Sequence, residues 1–254
     1  MTLLRCPIQA LLTLVLATST AHAQNSSCRD NPTALGTLRT IVLDPHGVRV
    51  GTKQFPTSLA LNPREVVLTF DDGPHPATTS MVLAALAHEC VKATFFIIGR
   101  EAESHPELVR RLAAEGHTVA HHSMTHPMTL ATMPYMAAID NIERGIAAVD
   151  GALGQPAAPF FRFPGFGSSP ALLSYLEHKG FAVFGADLWA SDWNLMTPSF
   201  ELSLVMKRLE EAGGGILLFH DTQIQTARML PTFLATLKAR GWKVVHVVPP
   251  QPGQ

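Results

Sequence analysis

Asp71 and Asp72 stand side by side between a short apolar run, Val66-Val67-Leu68, and Gly73-Pro74. The run reads as a buried strand and the Gly-Pro pair as the turn that ends it. Side chains alternate along a strand, so the two carboxylates are expected on opposite sides while the strand persists. Like charges this close repel, and one keeps its proton unless a cation holds it ionised. His122 and His126 supply partners for such a cation. They lie four positions apart, which places both rings on one side of a helical turn, and Pro127 stops that turn. Two imidazoles and a carboxylate suit a borderline metal, zinc first, and leave a coordination position open for water, as in catalytic rather than structural sites. Each piece alone has a plainer reading: Asp-Asp-Gly as a solvated turn, His-x-x-x-His as two surface histidines. Met124, Met128, Met133 and Met136 around the histidines suit Cu(I), but pack more simply as adaptable core.

The rest of the chain must bring these groups together. Strand-like segments at 66–70, 93–98, 117–120, 159–163, 181–185, 216–220 and 242–248 alternate with helically spaced apolar residues at 78–89, 106–115, 134–153, 170–178, 198–212 and 226–239. Seven strands alternating with six helices imply right-handed crossovers and a mainly parallel sheet. Neither Gly-x-Gly-x-x-Gly nor Gly-x-x-x-x-Gly-Lys occurs, which leaves a doubly wound nucleotide-binding domain unsupported. The expected fold is α/β, an incomplete (β/α) barrel with about seven parallel strands. In such barrels chemistry sits at the C-terminal ends of the strands. Those ends carry Asp71-Asp72, His121 through His126, Arg162, the segment from Asp187 to Trp193, and His220-Asp221; the opposite ends show no such cluster. His121 is expected to point away from His122, and His75 to line the groove near Asp72. His88, His105, His178 and His246 read as surface or satisfied core positions.

The 254 residues carry a net charge of −1, which gives no electrostatic case for nucleic acid or an anionic membrane surface. Residues 1–23 read as an export signal: Arg5 before the apolar run Leu11 to Ala17, then Ala21-His22-Ala23 as a cleavage site. That run is too short to span a bilayer, and nothing else in the chain could. The protein is therefore expected in the periplasm or secreted, not as an integral membrane protein. Cys28 and Cys90 then remain, an even number in an oxidising compartment, to be read as a disulfide or as two free thiols. Residues 24–62 form a lead-in with a strand near 37–43, packed outside the main domain at 63–248, and 249–254 a fraying tail.

The residues at the strand ends resemble the polysaccharide deacetylase family, the NodB-homology or carbohydrate esterase family 4 domain. Thr69-Phe70-Asp71-Asp72-Gly73 matches its first motif and His122-Ser123-Met124-Thr125-His126 its second. Arg162-Phe163-Pro164-Gly165-Phe166-Gly167 approximates the third, with Gly165 where the family has an aromatic residue. Asp192-Trp193 matches the second half of the fourth motif, with Trp189 where its first Asp would stand. Leu218-Phe219-His220 matches the fifth. The resemblance covers roughly Arg64 to Val248 and implies a distorted (β/α) barrel that acts on acetylated carbohydrate. It implies Asp72, His122 and His126 as ligands of one divalent metal, zinc first, with cobalt or nickel as alternatives. Asp71 would be the general base, oriented by Arg162; His220 the general acid, held protonated by Asp192. The Gly165 N–H would face the oxyanion, and Trp193 and Leu218 would pocket the acetyl methyl. The expected reaction is removal of N-acetyl groups from peptidoglycan-like or chitin-like amino-sugar chains. An O-acetyl esterase on xylan-like chains and a silent envelope sugar-binding protein are the alternatives.

Overall fold

The central strand is β3 (Glu65–Asp71), whose seven residues are all buried. A run apolar on both faces is what a parallel strand covered on both sides requires. Its alternation sorts the side chains. Val66, Leu68 and Phe70 join the large core cluster between sheet and helices, where Phe70 stacks between Phe95 and Phe219 at 5.0 and 5.5 Å. Val67 packs in the smaller cluster with Phe96, Phe160, Phe184 and Ile216. Thr69 and Asp71 follow Val67 on that inner face.

The computed structural model describes residues 31–251. The expected signal at 1–23 lies outside the described residues, as do 252–254. Cys90 is disulfide-bonded; Cys28, the partner expected from the sequence, lies outside the described residues.

After β3 the chain alternates. Helix α1 (Pro76–His88) leads to β4 (Thr94–Ile97), α2 (Gly99–Ser104) and α3 (Pro106–Ala114) to β5 (Thr118–His121), and α4 (Tyr135–Leu153) to β6 (Phe160–Phe161). Then come α5 (Pro170–His178), β7 (Ala182–Phe184), β8 (Leu188–Trp189), α6 (Pro198–Ala212), β9 (Gly215–His220), α7 (Ile224–Ala239) and β10 (Lys243–Val248). Helices α1, α3, α5 and α6 each begin on proline, whose fixed φ and missing N–H suit the first helical position. The strands from β3 to β7 pair in chain order, β9 pairs β3, and β8 pairs β9, all in parallel. The sheet does not close: among the described residues β7 pairs not with β8 but with β2 (Arg49–Val50). This is the expected α/β architecture, a barrel of parallel strands left open.

Two assignments differ from the sequence reading. The sixth strand of the series that starts at β3 is β8, two residues long and too short to carry a periodic signal. The segment at 242–248 instead forms β10, which pairs with β1 (Thr37–Val42) and with the first residues of β3. The lead-in is correspondingly part of the sheet rather than packed outside it. Arg39 clamps Glu65 at 2.9 and 2.7 Å. The Asp187 carboxylate accepts from the Thr52 N–H and hydroxyl, from Ser58, and from the Ile216 N–H. Asp187 therefore fastens the lead-in to the sheet and takes no place at the rim.

Candidate active site

Asp71 ends β3 on its inner face and is 2% exposed. Arg162, fully buried, donates from Nη1 to Asp71 Oδ1 at 2.6 Å and to Thr69 Oγ1 at 2.9 Å. Its Nη2 donates to the Gly185 carbonyl at 2.8 Å, and the guanidinium lies 4.2 Å from the Phe96 ring centre. Removing one member of such a buried pair costs about 3–5 kcal/mol, because the other charge is stranded. The strand stops here. Asp72 has φ 76, a left-handed turn that breaks the alternation and brings the second carboxylate to the same rim. The expectation of opposite sides fails because the strand ends one residue sooner than it required.

The histidine pair converges by a different route from the expected helical turn. Ser123 and His126 have φ 63 and 54, so residues 122–126 form an irregular hook. Helix α4 braces it: the Asn141 carbonyl accepts from the Met124 N–H at 3.0 Å, and the Asn141 amide donates to Thr125 Oγ1 at 2.8 Å. A Cβ on Gly145 of α4 would lie 2.4 Å from the Ser123 backbone, so only glycine permits this approach. His122 Nδ1–H donates to the Arg162 carbonyl at 2.7 Å. That bond fixes the tautomer and turns the Nε2 lone pair toward Asp72.

Asp72 Oδ1 lies 3.4 Å from His122 Nε2 and 3.3 Å from His126 Nε2. It is buried and has no hydrogen-bond partner among the described residues. The donor atoms of the three residues all lie within 4.8 Å of one another. A buried oxygen left unpaired between two imidazole nitrogens fits a divalent cation, as do the types of donor. Burial works to raise the Asp72 carboxyl, but His122, His220 and His126 together outweigh it and hold it below the usual carboxylate range. Burial pushes His126 down, toward the neutral form a metal ligand needs.

Across the groove, register sets Asp71 opposite His220 at the end of β9. His220 Nδ1–H donates to Asp192 Oδ1 at 2.8 Å, and its main-chain N–H to Asp192 Oδ2 at 2.7 Å. Burial opposes charge on His220, yet the bond to fully buried Asp192, with added attraction from Asp192, Asp72 and Asp71, pushes it up to about 9. The other ring nitrogen, Nε2, lies 3.8 Å from Asp72 Oδ2.

A cavity of about 460 Å³ joins these groups to Met128, Phe163, Gly165, Phe166, Trp189, Trp193 and Leu218. Trp193 stands edge-on to His220 at 5.9 Å and is half exposed. The two departures from the family motifs meet here. Phe166, one place later than the family's aromatic, stacks on Trp189 at 6.0 Å and 28°, where the motif has an aspartate. Gly165 has φ 54, and a Cβ on it would lie 2.4 Å from Met128 Cε. Met128 thus covers the wall that a glycine leaves bare, a role no local pattern in the sequence announces.

Several remaining expectations find their places. His75 lines a second cavity, about 410 Å³, on the far side of Asp72 and His126, with Arg100, Glu101 and Thr222. His121 faces away from the site, 3.8 Å from Asp150 and edge-on to Phe181. Asp221 is buried beside the rim, bonded to Thr79, and burial pushes it up to about 7.

Residues 59–184 match the polysaccharide deacetylase family. A chitooligosaccharide deacetylase of a Bradyrhizobium species is 32% identical over 200 residues, 73% of this chain and 90% of that protein. The chain belongs to the polysaccharide deacetylase family. A peptidoglycan-N-acetylglucosamine deacetylase, PgdA of Listeria monocytogenes, is 31% identical over 184 residues, 72% of this chain and 38% of that protein. Among solved structures, a Bdellovibrio bacteriovorus peptidoglycan deacetylase superposes with a TM-score of 0.76 at 33% identity. That match covers 84% of this chain, which spans only 59% of the other. As a polysaccharide deacetylase the chain is a hydrolase fold whose substrate is acetylated carbohydrate. No helix among the described residues is long and apolar enough to cross a membrane.

Proposed function

We propose that this polysaccharide deacetylase is a metal-dependent enzyme that removes N-acetyl groups from amino-sugar polymers or oligomers of the peptidoglycan or chitin type. One observation carries the reading. Two buried acid–base pairs, Asp71 with Arg162 and His220 with Asp192, face each other across the Asp72-His122-His126 triad.

Asp72, His122 and His126 would hold the cation, zinc first by its donor set, with cobalt or nickel as alternatives. When bound there, a divalent cation supplies Lewis acidity that lowers the pKa of water and polarises a carbonyl. Asp71, oriented by Arg162, accepts the proton of the attacking water. The Gly165 N–H serves the developing oxyanion, a contribution of about 3 kcal/mol for a well-placed donor. Trp193 and Leu218 exclude water around the acetyl methyl. His220 Nε2 delivers its proton to the leaving nitrogen. An amine leaves only when protonated, whereas an alkoxide needs less help. A histidine raised to about 9 is an acid still loaded at neutral pH, which favours the amide over the O-acetyl ester.

Acetate release from peptidoglycan, chitin oligomers and acetylated xylan, each with and without chelator, tests the reading. Release from the first two that stops with chelator is the expected result. Equal release with chelator removes the metal, and release from xylan alone transfers the function to esters. Export is part of the proposal. N-terminal sequencing of the mature protein is expected to begin after Ala23.

A further inference from the structure

Glu201, in the first turn of α6, is fully buried. Its Oε1 lies 2.8 Å from Thr226 Oγ1, and its Oε2 has no hydrogen-bond partner among the described residues. Thr226, at the start of α7, also lies 2.8 Å from Asp192 Oδ2. One hydroxyl thus sits between two buried carboxyl groups. A hydroxyl has a single proton to give. If both carboxyls lacked protons, one of these two contacts would set lone pair against lone pair between fully buried groups, an arrangement that burial makes costly. A second proton must therefore lie in the chain. Asp192 already accepts two N–H donors from His220 and has its main-chain carbonyl fixed by Gln225 at 2.6 Å. Among the described residues Glu201 has no donor other than Thr226.

We propose that Glu201 is a carboxylic acid that donates its proton to Thr226, so that Thr226 donates to Asp192. The chain Glu201–Thr226–Asp192–His220 then holds the general acid from the two helices that flank β9. Glu201 is a positioning residue. It touches no reacting atom; by donating to Thr226 it commits the Thr226 proton to Asp192 as a third donor, which locks the plane of the carboxylate that orients His220. Burial, with a smaller push from Asp192, moves Glu201 up to about 7 against the opposing effects of Thr226 and His220, in keeping with this geometry. The inference rests on His220 as the acid of the proposed reaction.

The first arm of the test does not depend on activity. The infrared difference spectrum of wild type minus Glu201→Gln at neutral pH is expected to show a carboxylic-acid carbonyl stretch that shifts in deuterium oxide. A difference made only of ionised-carboxylate bands overturns the proposal, whatever the substrate proves to be. The second arm is kinetic. Glu201→Gln, whose amide can donate to Thr226 in the same place, is expected to keep kcat within about twofold. Glu201→Leu is expected to lose about tenfold in kcat with KM unchanged, a fraction of what a general acid supplies. Thr226→Val should lose a similar factor, and the double variant no more than either, because both break one chain. Equal loss in the Gln and Leu variants, or additive losses in the double variant, overturns it. An infrared band without any deacetylation would instead remove the proposed reaction and leave the protonated Glu201 standing.

Discussion

His220 at the rim and the buried pair His117 and His246 beside the start of β5 are driven in opposite directions. At the rim, His220 is raised to about 9. Beside the start of β5, burial lowers His117 to about 3 and His246 to about 4. Both groups are enclosed by protein. The difference is what stands within hydrogen-bonding reach. His220 faces Asp192. His246 meets the Thr118 hydroxyl at 2.9 Å, which passes its own proton to the Val247 carbonyl, and His117 accepts the Ala93 N–H. Among the described residues no carboxylate enters the lower pair, so burial, with Lys92 adding to it, outweighs the Ala93 main-chain bond that opposes it at His246. A buried imidazole on this scaffold is neutral by default, and a charged one requires a dedicated partner.

The largest expected effect comes from making the rim like the lower end. Asp192→Asn removes the partner that reverses the burial effect. We expect kcat to fall by about 10²–10⁴-fold, the worth of a general acid. Activity requires the protonated ring, so the wild-type profile declines as pH rises through about 9. In the variant that basic limb should move at least about one unit lower. An unmoved limb would break the comparison. His122 and His126, proposed as cation ligands, differ from both, because a ligand imidazole must be neutral. His126→Ala is expected to lose the bound cation by elemental analysis while staying folded by circular dichroism; full occupancy would take His126 out of the ligand set.

The lower pair is tested through stability. A histidine lowered in the folded state stabilises fully above its unfolded value, near 6.5, and loses that contribution as pH falls toward the folded value. Between about pH 7.5 and 4.5 wild type should lose roughly 2–3 kcal/mol relative to His117→Gln, read from urea midpoints of the metal-free proteins. The comparison with the variant matters because Glu201 and Asp221, both raised, contribute stability that is lost as pH rises through about 7, the opposite slope. A wild type and variant that fall in parallel would show that His117 is not buried neutral. The smallest effect is expected at the groove wall. Gly165→Ala meets Met128 Cε and sits at φ 54, so about 1 kcal/mol of strain is expected. The contact half of that cost should vanish in Gly165→Ala combined with Met128→Ala; a cost unchanged by Met128→Ala would show that the methionine does not cover the wall.

The first strand, its inward Asp71 and the order of the motif residues were legible in the sequence because each depends on local pattern. Other features depend on packing between distant segments. Asp72 reaches the site through a left-handed residue, and His122 with His126 through two more, where regular periodicity predicts a strand and a helical turn. β8 is too short to read. Glu201 in sequence is an ordinary acidic residue in a first helical turn, where such residues are normally solvated; only the approach of α7 buries it. His246 is the satisfied core position that the sequence suggests, but its meeting with His117 is not legible there, since 117 and 246 approach only when β10 folds back toward β5.

Arg162 contributes both of its ends to the site, its side chain to Asp71 and its main-chain carbonyl to His122. It therefore acts as a ruler that sets the spacing between Asp71 and His122. The two tasks can be uncoupled by changing the side chain but not by moving the backbone. A substitution at position 162 that keeps the main chain would thus release Asp71 while leaving Asp72, His122 and His126 gathered as they are.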